Sequence, residues 1–451
     1  MLVSLLVAAC RGHEEEPRPA PERVVEPPPA DFATHEKVVA VAPGGAVFVT
    51  RAANKLHAWA RTGKLLAAVD ALAEDERTAI SAKGDLLAEA SDRAMRVLEL
   101  PSGRALWQHD EVDTVWGDLA FARSGQRLAI PFTGTVRVIE PVSGREVTTF
   151  DRDHVGAKLA RGDGLTIPRQ IVYSPDGLHL TIRCSRDAEM PENHTLYVAV
   201  APTGVIEDAI PGHVGELFAT AWVSNDRVAT VAGDGTVRVI HDGAVERTLA
   251  LAAHDYQQLV VSADLRIVAA AADDIVVWRK GMQTVTIPRG KPDDPVVYLE
   301  VSDASVLALS LHGELDHYAI PAPAAAASDW VVVDDATRAR EAALWAIARG
   351  EQVAIAGDDP IAVSARAYAS GAPIRGPISL DLVSRWLGGG FVYPARDLYL
   401  AWLASRADDL RGVPVGLQLR AALETRDDGT APLTAAMLAR WPNDPRVAEP
   451  K

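Results

Sequence analysis

An apolar position recurs roughly every 40 residues along this chain, and few folds can accommodate such a period. The position is held by Trp59, Leu98, Ile139, Ala199, Ile240, Trp278 and Tyr318. The spacing is nearly constant, with one long step between Ile139 and Ala199. Each of these residues lies in a short strand-like run. A second run precedes it each time: AVFVT, DLLAEAS, RLAIPF, LHLTIR, RVATVA, RIVAAA and SVLALS. Turn signals come before those runs, in Ala42-Pro43-Gly44-Gly45, Ser81-Ala82-Lys83-Gly84, Ala122-Arg123-Ser124-Gly125, Ser174-Pro175-Asp176-Gly177 and Ser262-Ala263-Asp264. A unit of this length with four short strands is one blade of a β-propeller. Seven copies predict seven blades over residues 37–320, with one insertion inside the long step.

The clearest copy is 212–242, GHVGELFATAWVSNDRVATVAGDGTVRVIHD. Leu217, Ala219, Ala221 and Val223 alternate with other residues, which is strand spacing. Asn225-Asp226 marks a turn. Val228–Ala232 reads as a second strand, and Gly233-Asp234-Gly235 as a tight hairpin. Thr236–Ile240 is rich in β-branched residues. This stretch resembles one repeat of the WD40 family, in which a histidine, a Ser/Thr, an aspartate and a tryptophan hydrogen-bond within a blade. His213, Thr230 and Asp234 stand at the first three positions, and Ile240 replaces the tryptophan. The resemblance implies a structural role for the three, and it implies protein or peptide recognition on a propeller face. The other six copies lack most of the signature.

The long interval places DRDHVGAKLARGDGLT (151–166) between two blades and CSRDAEMPENH (184–194) within one hairpin. Long loops of a propeller lie on its faces, where binding happens. Arg152, Asp153, His154, Lys158, Arg161 and Asp163 would be available there. The spacing of Asp153, His154 and Asp163 matches no standard metal site, and no metal is expected.

Ring closure in a propeller borrows a strand from the other end of the chain. Asp31–His35 and Trp330–Asp334 (WVVVD) are the two candidates, and the stronger β-branched run favours the second. Beyond the linker PAPAAAAS the period changes. Residues 336–349, 360–370, 379–387, 395–410, 415–426 and 433–441 read as helices broken by Gly and Pro, with Asp335 as the first N-cap. Trp330, Trp345, Trp386, Trp402 and Trp441 make this third of the chain rich enough in large apolar side chains to build a core or to dock on the propeller.

The first ten residues, MLVSLLVAAC, are an apolar run ending in Val7-Ala8-Ala9-Cys10. This resembles the lipobox of bacterial lipoproteins, and the resemblance implies cleavage before Cys10 and its lipidation. The run is too short to span a bilayer. Residues 11–36 carry six prolines and seven acidic residues, the composition of an extended spacer. Arg11 follows the cysteine, which resembles the pattern for sorting to the outer membrane. With Cys10 lipidated, Cys184 has no intramolecular disulfide partner.

A net charge of −16 argues against nucleic acid, which demands a basic footprint. No Gly-x-Ser-x-Gly, His-Glu-x-x-His, Cys-x-x-Cys or phosphate-loop pattern is present, and Gly388-Gly389-Gly390 lacks the lysine of the last. The acidic pairs Asp273-Asp274, Asp293-Asp294, Asp334-Asp335 and Asp358-Asp359 sit at turns or helix starts, where capping is their expected work. No catalytic residue and no cofactor is assigned. The expectation is thus a mainly β protein: signal peptide 1–10, tether 11–36, seven-bladed WD40-like propeller 37–320, linker or ring-closing strand 321–335, and a small α-helical C-terminal region 336–451. The function expected of it is a non-enzymatic, lipid-anchored protein-binding scaffold of the cell envelope, on the outer membrane. The alternatives are an envelope enzyme with its site in the central channel and a cytoplasmic interaction module.

Overall fold

The second-strand runs are apolar at nearly every position rather than at alternate ones. A strand of that kind has to be buried on both faces. The computed structural model describes residues 23–26, 36–73, 77–110, 114–115, 117–151, 167–185, 195–210, 217–233, 235–251, 255–281, 284–291, 293–320, 329–348, 350–371, 374, 378–388, 391–405, 409–424 and 430–448. In it, seven antiparallel sheets stand side by side in a closed ring. The first strands of the seven blades are Lys37–Val41, Arg77–Ile80, Ala120–Phe121, Ile167–Tyr173, Leu217–Trp222, Gln258–Val261 and Val296–Val301. Each touches the first strand of the next blade, and the last touches the first.

Strand alternation explains the two-sided burial. In blade one, Val47, Val49, Leu56 and Ala58 pack against Ile80, Leu87 and Leu98 of blade two. Phe48 and Trp59 point the other way, against Leu309 of blade seven. Every neighbouring pair of blades shares such a cluster. The fourth strands are outermost and largely exposed, as in Arg104–Asp110, which is why their sequence signal is weak.

The seven marker positions of the repeat are structurally equivalent. Each pairs with a residue of its blade's second strand, from Phe48↔Trp59 to Val306↔Tyr318, and all seven are buried. In blades one to five the pairing of third and fourth strands shifts register immediately before the marker residue. A β-bulge at this point adds local twist. The turns between first and second strands also repeat. Gly45, Gly84, Gly125 and Gly177 adopt φ of +69° to +73° there, and Leu265 takes the same place at +59°. A leucine in that conformation is strained. Its carbonyl accepts the indole N–H of Trp330 at 2.8 Å.

Closure differs from the expectation. The fourth strand of blade seven is Arg23–Glu26, inside the proline-rich stretch, antiparallel to Leu315–Tyr318. Val331–Val332 instead forms a fifth strand on the outer edge of blade five, paired with Arg247 and Thr248. The segment from Asp329 lies on blade five because Trp330 packs in the core between blades five and six, edge-on to Trp278 at 5.8 Å. Asp31–His35 lies outside the described residues.

The helical region comprises α1 (Asp335–Ala348), α2 (Pro360–Ala369), α3 (Leu380–Gly388), α4 (Val392–Ser405), α5 (Gly412–Glu424), α6 (Ala431–Arg440) and the short α7 (Pro445–Ala448). Asp334 caps α1, one residue earlier than expected, by accepting the Thr337 N–H at 2.7 Å. Asp359 caps α2 through the N–H groups of Ile361 and Ala362. The region has its own core, to which Trp345, Trp386, Trp402 and Trp441 all contribute. α4 is central and touches α2, α3, α5 and α6, while α1 meets the Ala244–Ala250 strand of blade five. None of the described helices is long and apolar enough to cross a membrane.

Two measurements check this arrangement. The double substitution Val24→Pro/Val25→Pro removes backbone donors from the closing strand and is expected to lower the thermal midpoint by several degrees. Val331→Pro/Val332→Pro should lower it far less, and the opposite order would assign closure to the C-terminal strand. In α5, a Cβ on Gly416 would collide with the Tyr399 hydroxyl and lie 2.6 Å from Met437 Cε. Gly416→Ala gains about 1 kcal/mol of helix propensity. Overpacking costs about 1–3 kcal/mol. With two side chains in the way the overpacking should prevail, so calorimetry is expected to show net destabilisation.

Candidate functional site

Each first strand pairs with a neighbour on one side only, so its other edge faces the ring axis. The seven edges enclose a central channel of about 630 Å³. Val38, Ala79, Leu259, Val296 and Leu299 contribute apolar wall, and the two ends of the channel differ.

At the end where the first strands begin, polar residues converge from different blades: Thr78, Asp118, Gln170, Gln257 and Gln258. Asp118 is held by its backbone, whose N–H donates to the Arg169 carbonyl at 3.1 Å. Gly117 makes this approach feasible, because a Cβ there would run into the Pro168 carbonyl oxygen. The Asp118 side chain opens on the channel but is surrounded by protein. That burial raises its pKa above the ordinary aspartate value, against the pull of Arg77 and Arg183. The raised pKa is a channel effect.

At the opposite end, where the first strands turn into the second, the lining is aromatic. Trp222 is fixed by its indole N–H, which donates to the Val172 carbonyl at 2.9 Å. The ring of Tyr298 lies over Gly45, so closely that a Cβ at Gly45 would be 2.7 Å away. Burial and the nearby Glu300 push the Tyr298 phenol up to about 12, opposed by Arg61 and Arg123. Burial likewise raises the phenol of Tyr173, whose hydroxyl is enclosed in the channel wall. Arg123 is exposed at this mouth.

Of the residues assigned from sequence, Thr230 is fully buried on the second strand of blade five, opposite Thr220 and Arg238. His213, Asp234 and Cys10 lie outside the described residues, as do Arg152, Asp153, His154, Lys158, Arg161 and Asp163. Cys184 is buried in the core between blades three and four. Sequence reading missed that the cross-strand position of Thr230 carries a polar clip in other blades. In blade one the Trp59 indole N–H donates to Thr50 Oγ1 at 2.8 Å, Thr50 donates to Glu36, and Glu36 lies 2.9 Å from His57 Nδ1. In blade two the same pair of positions holds the buried Glu89 and the half-buried Arg96, an ion pair at 2.8 Å whose carboxylate also accepts the Leu72 N–H. In blade seven the Tyr318 hydroxyl donates to the buried Asp316 at 3.0 Å. One register position thus carries different polar chemistry from blade to blade, so no single residue pattern marks all seven copies.

No protein-family model matches the sequence, and no curated protein matches it significantly. Among the described residues, no three His, Cys, Asp or Glu side chains form a group able to hold a metal ion.

Asp118 yields a pH prediction. Its folded-state pKa is raised, so the folded chain holds that proton more tightly than the unfolded chain. The contribution to stability is fully present below the ordinary value of 3.8 and is lost as pH rises through the raised folded value. Asp118→Asn should therefore be more stable than the natural protein at neutral pH. The difference, followed by urea unfolding, should vanish below the ordinary value.

Proposed function

We propose that this protein is a non-enzymatic, protein-binding scaffold of the cell envelope, held on the outer membrane by lipid on Cys10. The observation that carries the binding half is the seven-bladed β-propeller, an architecture that commonly serves as an interaction scaffold and presents two loop-lined faces around one channel. The envelope half rests on Val7–Cys10 and on the spacer behind it. Arg23, the first residue of the closing strand, follows Cys10 by thirteen residues, a span of roughly 45 Å when extended. An anchor on Cys10 would then hold the ring by the rim of blade seven and leave both faces free for a partner.

Fractionation with intact mass tests the anchor. The natural protein should sit in membranes with a lipid-sized mass increase, and Cys10→Ser should not. Finding both forms soluble and unmodified in the cytoplasm would withdraw the envelope reading and leave an intracellular docking module.

One observation favours the enzyme alternative. Asp118, with its raised pKa, shares a channel end with carboxamides and a hydroxyl from several blades. Turnover of ester, phosphate or glycoside chromogens that Asp118→Asn abolishes would decide for that alternative.

A further inference from the structure

Within a blade, the turn from first to second strand and the turn from third to fourth strand lie at the same end of the sheet. All of these turns therefore share one face of the ring, and the connections between blades occupy the other. The exposed large apolar side chains are not distributed between the two faces. Among the described residues of 37–320 they are Leu65, Val142, Leu178 and Val205. Leu178 lies between the first and second strands of blade four. Val142 lies between the third and fourth strands of blade three, and Leu65 and Val205 open the fourth strands of blades one and four. All four are on the turn face.

The aromatic end of the channel opens on that same face. Trp222 ends its strand there, the Tyr298 ring reaches the turn that holds Gly45, and Arg123 lies within the turn of blade three. Tryptophan, tyrosine and arginine are the residue types that dominate binding hot spots. The indole of Trp222 and the ring of Tyr298 are already fixed by their neighbours, so little rotamer entropy is lost when a partner covers them. Arg123 makes no hydrogen bond or ion pair with another described residue, while nearby Arg61 is paired with Glu300 at 2.9 Å. The carboxylates of the neighbouring turns are occupied too. Asp176, Asp226 and Asp264 each accept a serine hydroxyl of their own turn. Among the described residues of this mouth, Arg123 is thus the guanidinium left for a partner's charge.

We infer that the turn face is the protein-docking surface, and that its centre receives an extended peptide segment of a partner carrying a carboxylate between apolar or aromatic side chains. The carboxylate pairs with Arg123, its apolar neighbours cover Trp222 and Tyr298, and flanking parts of the partner cover Leu178 and the other exposed side chains. The inference rests on the scaffold reading and names the face that reading leaves open.

The probe is a phage-displayed library of random linear dodecapeptides, selected on the full chain bearing Cys10→Ser. Enriched peptides are resynthesised with a fluorophore and titrated by anisotropy. Arg123 and Leu178 are exposed, so Arg123→Glu and Leu178→Glu should fold with unchanged circular dichroism and thermal midpoint. Enriched peptides should contain Asp or Glu beside apolar residues. Each variant should weaken them at least tenfold, whereas Gln257→Glu at the opposite mouth should leave them unchanged. Peptides that bind both turn-face variants as tightly as the parent would overturn the assignment of this face and leave the scaffold reading standing. So would peptides that Gln257→Glu releases. A library that yields no binder to any surface would remove both.

Discussion

Each blade has to hide two faces at once, and the rest of the molecule depends on that constraint. A four-stranded sheet standing radially in a ring has a neighbour on either side. Its middle strands therefore read as unbroken apolar runs, and its stability belongs to the clusters it shares rather than to itself. Blade one cannot bury Val49 without Ile80 of blade two, nor Trp59 without Leu309 of blade seven. The ring must close to satisfy every sheet, and closure in turn leaves seven inner edges facing one axis. The channel, with its polar and aromatic ends, follows from the packing of blades and needs no separate structural device.

Polar groups buried between the blades are managed locally. The Trp59–Thr50–Glu36–His57 set, the Glu89–Arg96 pair and the Tyr318–Asp316 contact all occupy corresponding places in their blades. Each satisfies a buried carboxylate with donors from its own blade or from the segment entering it, as burial of a charge requires. The ring thereby tolerates wide variation at these places, provided donor and acceptor change together. This tolerance lets the seven blades differ in sequence at these places while keeping the apolar period that marks them.

The legibility of the sequence followed the same physics. Two-sided burial produces strong apolar runs, so the second and third strands, the seven marker residues and the glycine turns were readable from spacing. The helices of the C-terminal region were readable from their Gly and Pro breaks. The closing strand was not: Arg23–Glu26 is short, sits at the outer rim, and lies among prolines that argue for a spacer. The β-branched Val331–Val332 looked stronger, yet the position of that segment is decided by Trp330, whose partners Trp278 and Leu265 are remote in sequence. The channel end around Asp118 was equally hidden, because Thr78, Asp118, Gln170 and Gln257 converge only once the ring exists. Side chains in different blades have no common spacing to detect.

The position of the closing strand sets an order of events along the chain. Arg23–Glu26 is synthesised first among the described strands, yet its partner, Leu315–Tyr318, belongs to the last blade of the ring. Until blade seven emerges, the earliest strand lacks the Leu315–Tyr318 segment it pairs with. The pairing that completes blade seven can thus form only after Leu315–Tyr318 has been synthesised. A chain interrupted before Leu315 would keep all seven first strands that line the channel and yet leave the outer half of blade seven unbuilt, with Arg23–Glu26 unpaired.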